Sequence, residues 1–299
     1  MLLGSSLFYL YGFQAAALPS PAFTRRQWPQ RILTISALTA AVGTVLWVMA
    51  ETALFSGETS DAANPAAVWR VFAETRFGHA CLWRLGLLCI SLAATLCVTR
   101  RKTLWTMQVT LATLVIGTFA WTGHGAMGSG WAGAIHVSGD LLHLWVAGAW
   151  FGALLPLGSL ILGALRSQIP GDERAASFGL DRFSAIGTVI VVALILSGLI
   201  NSWFLIGVAN WRDLFTSAYG MTLLVKLGLF ALMLAFAAVN RFRLAPRLRY
   251  ALVGAGENRR TSMPLRALKT SIAIEAALAL LVLLAVGVLG TLAPPISGE

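Results

Sequence analysis

Four histidines are the residues of this chain best suited to bind a metal ion. Each lies at or just inside the same end of an apolar stretch: His79, His124, His136 and His143. Asp140 stands between the last two, and Met127 follows His124 by three residues. Imidazole and carboxylate groups bind transition metals, and a thioether adds a preference for Cu(I). These six residues predict a metal site, and a polar network that only holds helices together is the alternative.

One apolar stretch carries three of these groups on one helical face. At 100° per residue, His136, Asp140 and His143 fall within about 60° of arc. Small residues on the same side are expected to let another helix approach closely. Trp145 is expected to point away from this face, toward lipid.

Other charged residues also lie within apolar stretches, where inserting a charge costs about 2.5–3.5 kcal/mol. Lys226 and Arg84 each need a counter-ion, and Asp140 and Glu51 are the carboxylates available. A stripe that repeats every seven residues contains Tyr219, Lys226, Met233 and Asn240. Charge compensation and positioning of a bound ion both stay open as roles. The residues expected to support the site are Glu51, Arg84, Trp150, Asn201, Tyr219 and Lys226.

The composition predicts the elements that position these residues. Of 299 residues, 58% are hydrophobic and 11% are charged, whereas soluble domains average about 45–50% and ~25%. This excludes a disordered chain, a disulfide-linked secreted module and an ordinary soluble enzyme. The expected fold is all-α: one polytopic membrane domain over residues 1–299, a bundle of about eight transmembrane helices that each cross about 30 Å of hydrocarbon. The predicted spans are 1–18, 32–55, 79–99, 103–123, 134–165, 184–207, 220–240 and 270–292.

Lysine and arginine predict the orientation of the bundle. One set of connections holds 17 of them and the opposite set holds three, so the first set is expected to be cytoplasmic and both termini to lie outside. Residues 241–269 are the longest basic cytoplasmic loop, and Glu275 is expected near that side, within reach of Lys269 or Arg266. No positive charge precedes the apolar part of 1–18, so both a retained helix and a cleaved signal peptide are considered.

Several stretches resemble one known family, the bacterial copper resistance protein D family. The similarity covers most of residues 74–295 and weakens toward the N-terminus. The stretches that carry it are ETRFGHACLWR (74–84), HVSGDLLHLWVAGAWFGALLPL (136–157), RFSAIGTVIVVALILSGLINSWFLIG (182–207), TSAYGMTLLVKLGLFALMLAFAAVNRFRLAPRL (216–248) and LGTLAPP (289–295).

The resemblance implies a multi-pass protein of the bacterial inner membrane that handles copper. It further implies copper transport from periplasm to cytoplasm, beside a periplasmic copper-binding partner of the copper resistance protein C type. Motif positions of the family are matched by His143, Trp150, Gly152, Asn201, Tyr219, Lys226 and Asn240. The oxidation state, Cu(I) or Cu(II), is left open.

Our leading hypothesis is a copper transporter in which ions enter at His124 and Met127 and pass to His136, Asp140 and His143, with His79 and Glu51 contributing. The sequence contains no P-loop, so transport would draw on a gradient, the membrane potential or a partner. One alternative is a haem-b redox protein linked to copper or quinone, with His143 and either His79 or His124 as axial ligands. It is the one alternative that would make the chain an enzyme. Another is a non-conducting membrane dock for a copper carrier.

Overall fold

The computed structural model describes residues 1–12, 28–122, 130–166, 171–207, 211–253 and 259–293. Within these residues the regular structure is helical, and no strand occurs. Seven helical segments are long and apolar enough to cross a membrane. Large apolar side chains are exposed along them, among them Leu54, Leu96 and Val189, as expected for helices that face lipid. The predicted all-α, polytopic membrane fold is confirmed.

The N-terminal half of the bundle contains three of these long helices. Its elements in chain order are α1 (Leu2–Gly12), α2 (Trp28–Ser56), a 3₁₀ turn (Thr59–Ala63), α3 (Pro65–Glu74), α4 (Arg76–Cys97), α5 (Arg101–Gly117) and a second 3₁₀ turn (Thr118–Trp121). Helix α4 packs against both α2 and α5. It begins at an N-cap, where Thr75 Oγ1 accepts a hydrogen bond from the Gly78 amide at 2.8 Å, which satisfies one of the free amides of the first turn.

The C-terminal half contains the other four long helical segments. Its elements are α6 (Gly130–Arg166), α7 (Asp172–Leu205), α8 (Asp213–Thr216), α9 (Ala218–Val239), a π turn (Asn240–Leu244), α10 (Ala245–Val253) and α11 (Arg259–Leu289). Helix α6 packs along α7 and α11, and α11 packs along α9. One long helix, α7, lies between α6 and α9 in the chain, so α6 and α9 cross the bundle in the same direction. We call the end of the bundle near Arg101, Arg166 and Arg241 the basic end.

Two segments differ from the organisation predicted from the sequence, one a predicted span and the other a predicted loop. The first predicted span, 1–18, is described only to Gly12, and its 11-residue helix α1 covers the half of α6 nearer the basic end. The count of about eight spans and the location of the termini therefore stay predictions. Residues 241–269, expected as a loop, are helical over 241–253 and from Arg259 onward, because the π turn lets α9 continue into α10.

The backbones of α1 and α6 lie in direct contact. A Cβ built on Gly4 would lie 2.3 Å from the Ala149 carbonyl oxygen, and one built on Gly152 would lie 2.7 Å from the Gly4 nitrogen. Ser5 Oγ donates a hydrogen bond of 2.8 Å to the Gly152 carbonyl. Small residues allow this approach, as is common where membrane helices meet. Helix α1 is thus part of the packed core.

Candidate functional site

Three side chains of α6 lie on the face that contacts α7. His136 is buried and its ring stacks on Phe204, with 4.8 Å between the ring centroids. Asp140 and His143 follow one and two turns later and are half-buried. The close approach that brings α7 here occurs at Gly139, where an added Cβ would lie 2.7 Å from Ile200 Cγ2. The prediction that small residues beside these groups admit another helix is confirmed.

Helices α7 and α9 supply the remaining members of this group, which we call the outer cluster. Asn201 Nδ2 donates a hydrogen bond of 3.2 Å to Asp140 Oδ1. Lys226 and Tyr219 lie within electrostatic range of Asp140, and Lys226 also of His143. Of the two carboxylates expected to balance Lys226, Asp140 is therefore the one within electrostatic range. The members of the outer cluster are His136, Asp140, His143, Ser197, Asn201, Tyr219 and Lys226.

The hydrogen bonds of His143 define which ring nitrogen is free. Its Nδ1 lies 3.0 Å from Ser197 Oγ, and that hydroxyl lies 2.6 Å from the Ala193 carbonyl oxygen. A hydroxyl has one hydrogen, and the carbonyl can only accept it. Nδ1–H must then donate to Ser197, so this hydrogen-bond network assigns the lone pair of the neutral ring to Nε2. This is the arrangement in which a histidine binds a metal ion while its other nitrogen is held in place.

The outer cluster has unused acceptor capacity. Asn201 Oδ1 is buried and has no hydrogen-bond partner, whereas buried polar atoms usually have one. Among the described residues, however, no three His, Cys, Asp or Glu side chains are grouped closely enough to hold a metal ion. His124 and Met127, two of the predicted ligands, lie outside the described residues. An ion in the outer cluster would therefore need these residues, amide oxygens or water in addition.

Arg84, a predicted supporting residue of the N-terminal half, lies in a second group with Trp47, Thr118 and Phe119, which we call the arginine cluster. Arg84 is 1% exposed, and its Nε donates a hydrogen bond of 2.8 Å to Thr118 Oγ1. Its guanidinium carbon lies 3.8 Å from the centroid of the Phe119 ring and 5.4 Å from that of Trp47. The expected carboxylate counter-ion is replaced by aromatic faces, which attract cations through their quadrupoles.

Glu51 and His79 lie at this same side of the bundle, away from the outer cluster. Glu51 Oε1 accepts a hydrogen bond of 3.1 Å from Trp47 Nε1. His79 is exposed, and its Nε2 lies 2.8 Å from the Ala73 carbonyl oxygen. Since α4 packs against α2, α3 and α5, the contacts of His79 are with a different set of helices from those of His143.

Among the described residues Glu275 is the most deeply buried carboxylate, and the sequence analysis did not include it in the site. Glu275 is 1% exposed and accepts a hydrogen bond from Asn240 Nδ2. The expected pairing with Lys269 or Arg266 is wrong, because the face of α11 that carries Glu275 packs against the π turn after α9. Trp150, a predicted supporting residue, lines the same cleft as Glu275. The stripe from Tyr219 to Asn240 was the signal available, since it ends at the partner of Glu275.

Comparison with known proteins identifies the family. The family model for "Copper resistance protein D" matches residues 179–289, and that for the "Copper resistance protein D-like, N-terminal domain" matches residues 1–134. The "Copper resistance protein D" of Pseudomonas syringae pv. tomato is 34% identical over 297 residues, which is 98% of this chain and 92% of that protein. The chain belongs to the copper resistance protein D family. The resemblance seen in the sequence is thereby confirmed.

Two further relatives are similar to this chain. The "Inner membrane protein YebZ" of Escherichia coli (strain K12) is 29% identical over 82% of each chain. The "Copper transport protein CutJ" of Bacillus subtilis (strain 168) is 27% identical over 80% of this chain but 43% of its own length. No solved structure is detectably similar. With seven apolar helices, the chain is a multi-pass inner-membrane protein.

Proposed function

We propose that this member of the copper resistance protein D family moves copper ions across the inner membrane through the outer cluster. A role in copper resistance or transport follows from the family. Movement of the ion from periplasm to cytoplasm is the proposal. The observation that carries it is the convergence of His136, Asp140 and His143 with polar groups of two other helices inside a membrane bundle. Ionisable groups are costly there and usually mark an ion pathway.

The outer cluster supplies the chemistry that an ion pathway needs. His143 offers Nε2 as a ligand, Asp140 offers negative charge, and Lys226 keeps that charge partly neutralised when no ion is present. Binding by few ligands is weak, which lets an ion leave as well as enter. We include His124 and Met127 as the entry ligands. We place Glu51 and His79 outside the path, because Glu51 contacts Trp47 of the arginine cluster and His79 contacts the Ala73 carbonyl of α3.

The source of the ion is the second part of the proposal. A periplasmic copper-binding protein of the copper resistance protein C type would deliver copper at the entry ligands. In this scheme the chain itself conducts, which distinguishes it from a membrane dock. The haem-b alternative is not favoured, because the described contacts do not bring His79 and His143 together; His124, the other histidine it names, lies outside the described residues.

The test is copper flux into proteoliposomes that contain only this chain. We expect His143→Ala to abolish copper uptake, because the variant loses a ligand of the pathway. The protein should still insert and keep its thermal midpoint, because the ring makes one hydrogen bond. Leu142→Ala is the matched control, since Leu142 is the exposed neighbour on α6. Uptake by His143→Ala at the wild-type rate would refute the pathway. A Soret band in the freshly purified wild-type protein would favour the haem alternative instead.

A further inference from the structure

A cleft at the basic end contains polar groups that the proposed pathway does not yet use. It has a volume of about 300 Å³ and lies between α6, α7, the end of α9 and α11. Its walls are largely apolar, and its polar lining residues are Ser184, Thr188, Asn240, Arg241 and Glu275. Pockets of this size with a few converging polar groups are typical of binding sites.

Two residues that line this cleft with Glu275 each have a buried polar atom without a partner. Asn240 is 6% exposed and its Oδ1 accepts no hydrogen bond, although its Nδ2 donates to Glu275. Trp150 is 3% exposed and its Nε1 has no acceptor. A carboxylate and a free amide oxygen therefore lie side by side in a buried cleft, which is an arrangement that attracts a cation.

Two seven-residue repeats connect this cleft with the outer cluster. On α6 the repeat is His136, His143 and Trp150, and on α9 it is Tyr219, Lys226, Met233 and Asn240. Seven residues return a helix to nearly the same face, about 10.5 Å further along its axis. Because α6 and α9 run in the same direction, both repeats lead from the outer cluster toward the basic end.

Met233 occupies the level between the two sites. It is 6% exposed and belongs to the same buried cluster as Trp150 and, from α11, Leu278. Leu278 lies one turn from Glu275. A thioether is a soft ligand that suits Cu(I), and the indole ring beside it attracts cations. The apolar level between the two polar sites thus contains groups that a copper ion tolerates.

We infer that Glu275 and Asn240 form a second copper site, reached past Met233, from which the ion leaves at the basic end. This inference rests on the proposed function. Arg241 lines the cleft and is the other charged residue of its lining, and its Nη1 donates to the Ser184 carbonyl at 2.9 Å and to Thr188 Oγ1. Its positive charge opposes long residence of a cation, which suits a site that releases its ion.

The experiment compares Glu275→Gln with wild type for two readouts: ions bound per chain, with copper(I) buffered by a chelator of known affinity, and flux into proteoliposomes. Glutamine has the same shape and keeps the hydrogen bond to Asn240. We expect Glu275→Gln to bind one ion fewer and to slow flux by at least about tenfold, while His143-dependent binding remains. Asp181→Asn is the matched control, because it makes the same change in an exposed side chain of α7.

Met233→Leu is the second variant, and it decides the question if Glu275→Gln does not fold. The exchange conserves volume and is tolerated in most cores, and we expect it to slow flux several-fold with His143-dependent binding intact. Wild-type flux in either folded variant would overturn the inference. Slow flux with an unchanged number of bound ions in Glu275→Gln would overturn it too, and would indicate that Glu275 carries a proton. Absence of flux in the wild type would refute the proposed function alone, since the ion count still reports on Glu275.

Discussion

Two buried amide side chains, one in each half of the bundle, differ in how fully their hydrogen-bonding groups are used. In the N-terminal half, Gln108 of α5 is fully buried: its Oε1 accepts from Ser91 Oγ at 2.6 Å, and its Nε2 donates to the Ser91 carbonyl at 2.8 Å and to Thr95 Oγ1 at 2.9 Å. In the C-terminal half, Asn201 has one buried oxygen without a partner. A satisfied network joins helices, whereas an incomplete one leaves groups for a ligand.

The charged residues of the two halves also differ. Arg84 lies against aromatic rings and donates from Nε to a hydroxyl group, while its Nη1 and Nη2 have no hydrogen-bond partner. Lys226 lies near Asp140 and His143, so its interaction changes whenever either group binds an ion. We therefore assign packing to the N-terminal half and copper handling to the C-terminal half, and four predictions test this division.

The largest loss of stability is expected from Gln108→Ala. Removing the amide leaves the buried Ser91 hydroxyl without its acceptor, at about 1–3 kcal/mol, and removes the donor to Thr95 Oγ1, which keeps its own hydrogen bond to the Ser91 carbonyl. The free energy of unfolding in detergent, measured by denaturant titration, should fall by about 2–4 kcal/mol. Copper flux per folded molecule should stay at the wild-type value. A fall in flux per folded molecule would break the division between the halves.

Asp140→Asn should produce the reverse result. The amide oxygen of asparagine still accepts from Asn201 Nδ2, so packing is kept while the negative charge is lost. We expect flux to fall by about tenfold or more, with an unfolding free energy close to wild type. Transport at the wild-type rate would show that Asp140 serves packing, as Gln108 does.

Ser197→Ala should have a smaller effect on both quantities. The hydroxyl fixes the tautomer of His143 by accepting from Nδ1, and its loss removes a hydrogen bond worth about 1 kcal/mol. We expect a several-fold loss of copper affinity in chelator competition. Threonine at this position keeps a hydroxyl and should restore affinity, which a purely steric role of Ser197 would not explain.

The smallest effect is expected from Asp181→Asn. Asp181 Oδ1 lies 3.8 Å from Arg249 Nε, and both side chains are largely exposed, at 39% and 54%. Such surface pairs contribute about 0–1 kcal/mol. Thermal midpoint and copper flux should both match wild type. A clear loss of flux would show that this exposed surface takes part in transport, and that transport does not depend on the buried clusters alone.

Much of the fold followed from apolar length, and the face of α6 followed from periodicity. Composition predicted the long helices, and 100° spacing placed His136, Asp140 and His143 together. Periodicity does not show which helix lies opposite a given face. Trp145, expected to face lipid, instead donates from Nε1 to the Thr113 carbonyl of α5 at 3.1 Å. A helix that is apolar on every side has no sequence pattern that predicts such a contact.

The partners of buried charges were harder to predict, because they depend on how helices align in three dimensions. For Lys226 the sequence left Asp140 and Glu51 open as counter-ions, and Asp140 is the one within electrostatic range. Glu275 was matched to basic residues close in sequence, but its partner Asn240 is 35 residues away. The expectation that Arg84 pairs with a carboxylate also failed, because Phe119 lies in a 3₁₀ turn whose position no pattern predicts.

The π turn at Asn240–Leu244 has a consequence for the evolution of this bundle. A wide turn of this kind contains one residue more than the regular helix it interrupts. The wide turn absorbs this residue, so its loss would restore a regular helix and leave the residues beyond it, such as Arg249 near Asp181 of α7, on nearly the same faces. The wide turn therefore shifts the sequence repeat of α10 by one residue relative to that of α9, although the two form one continuous helix.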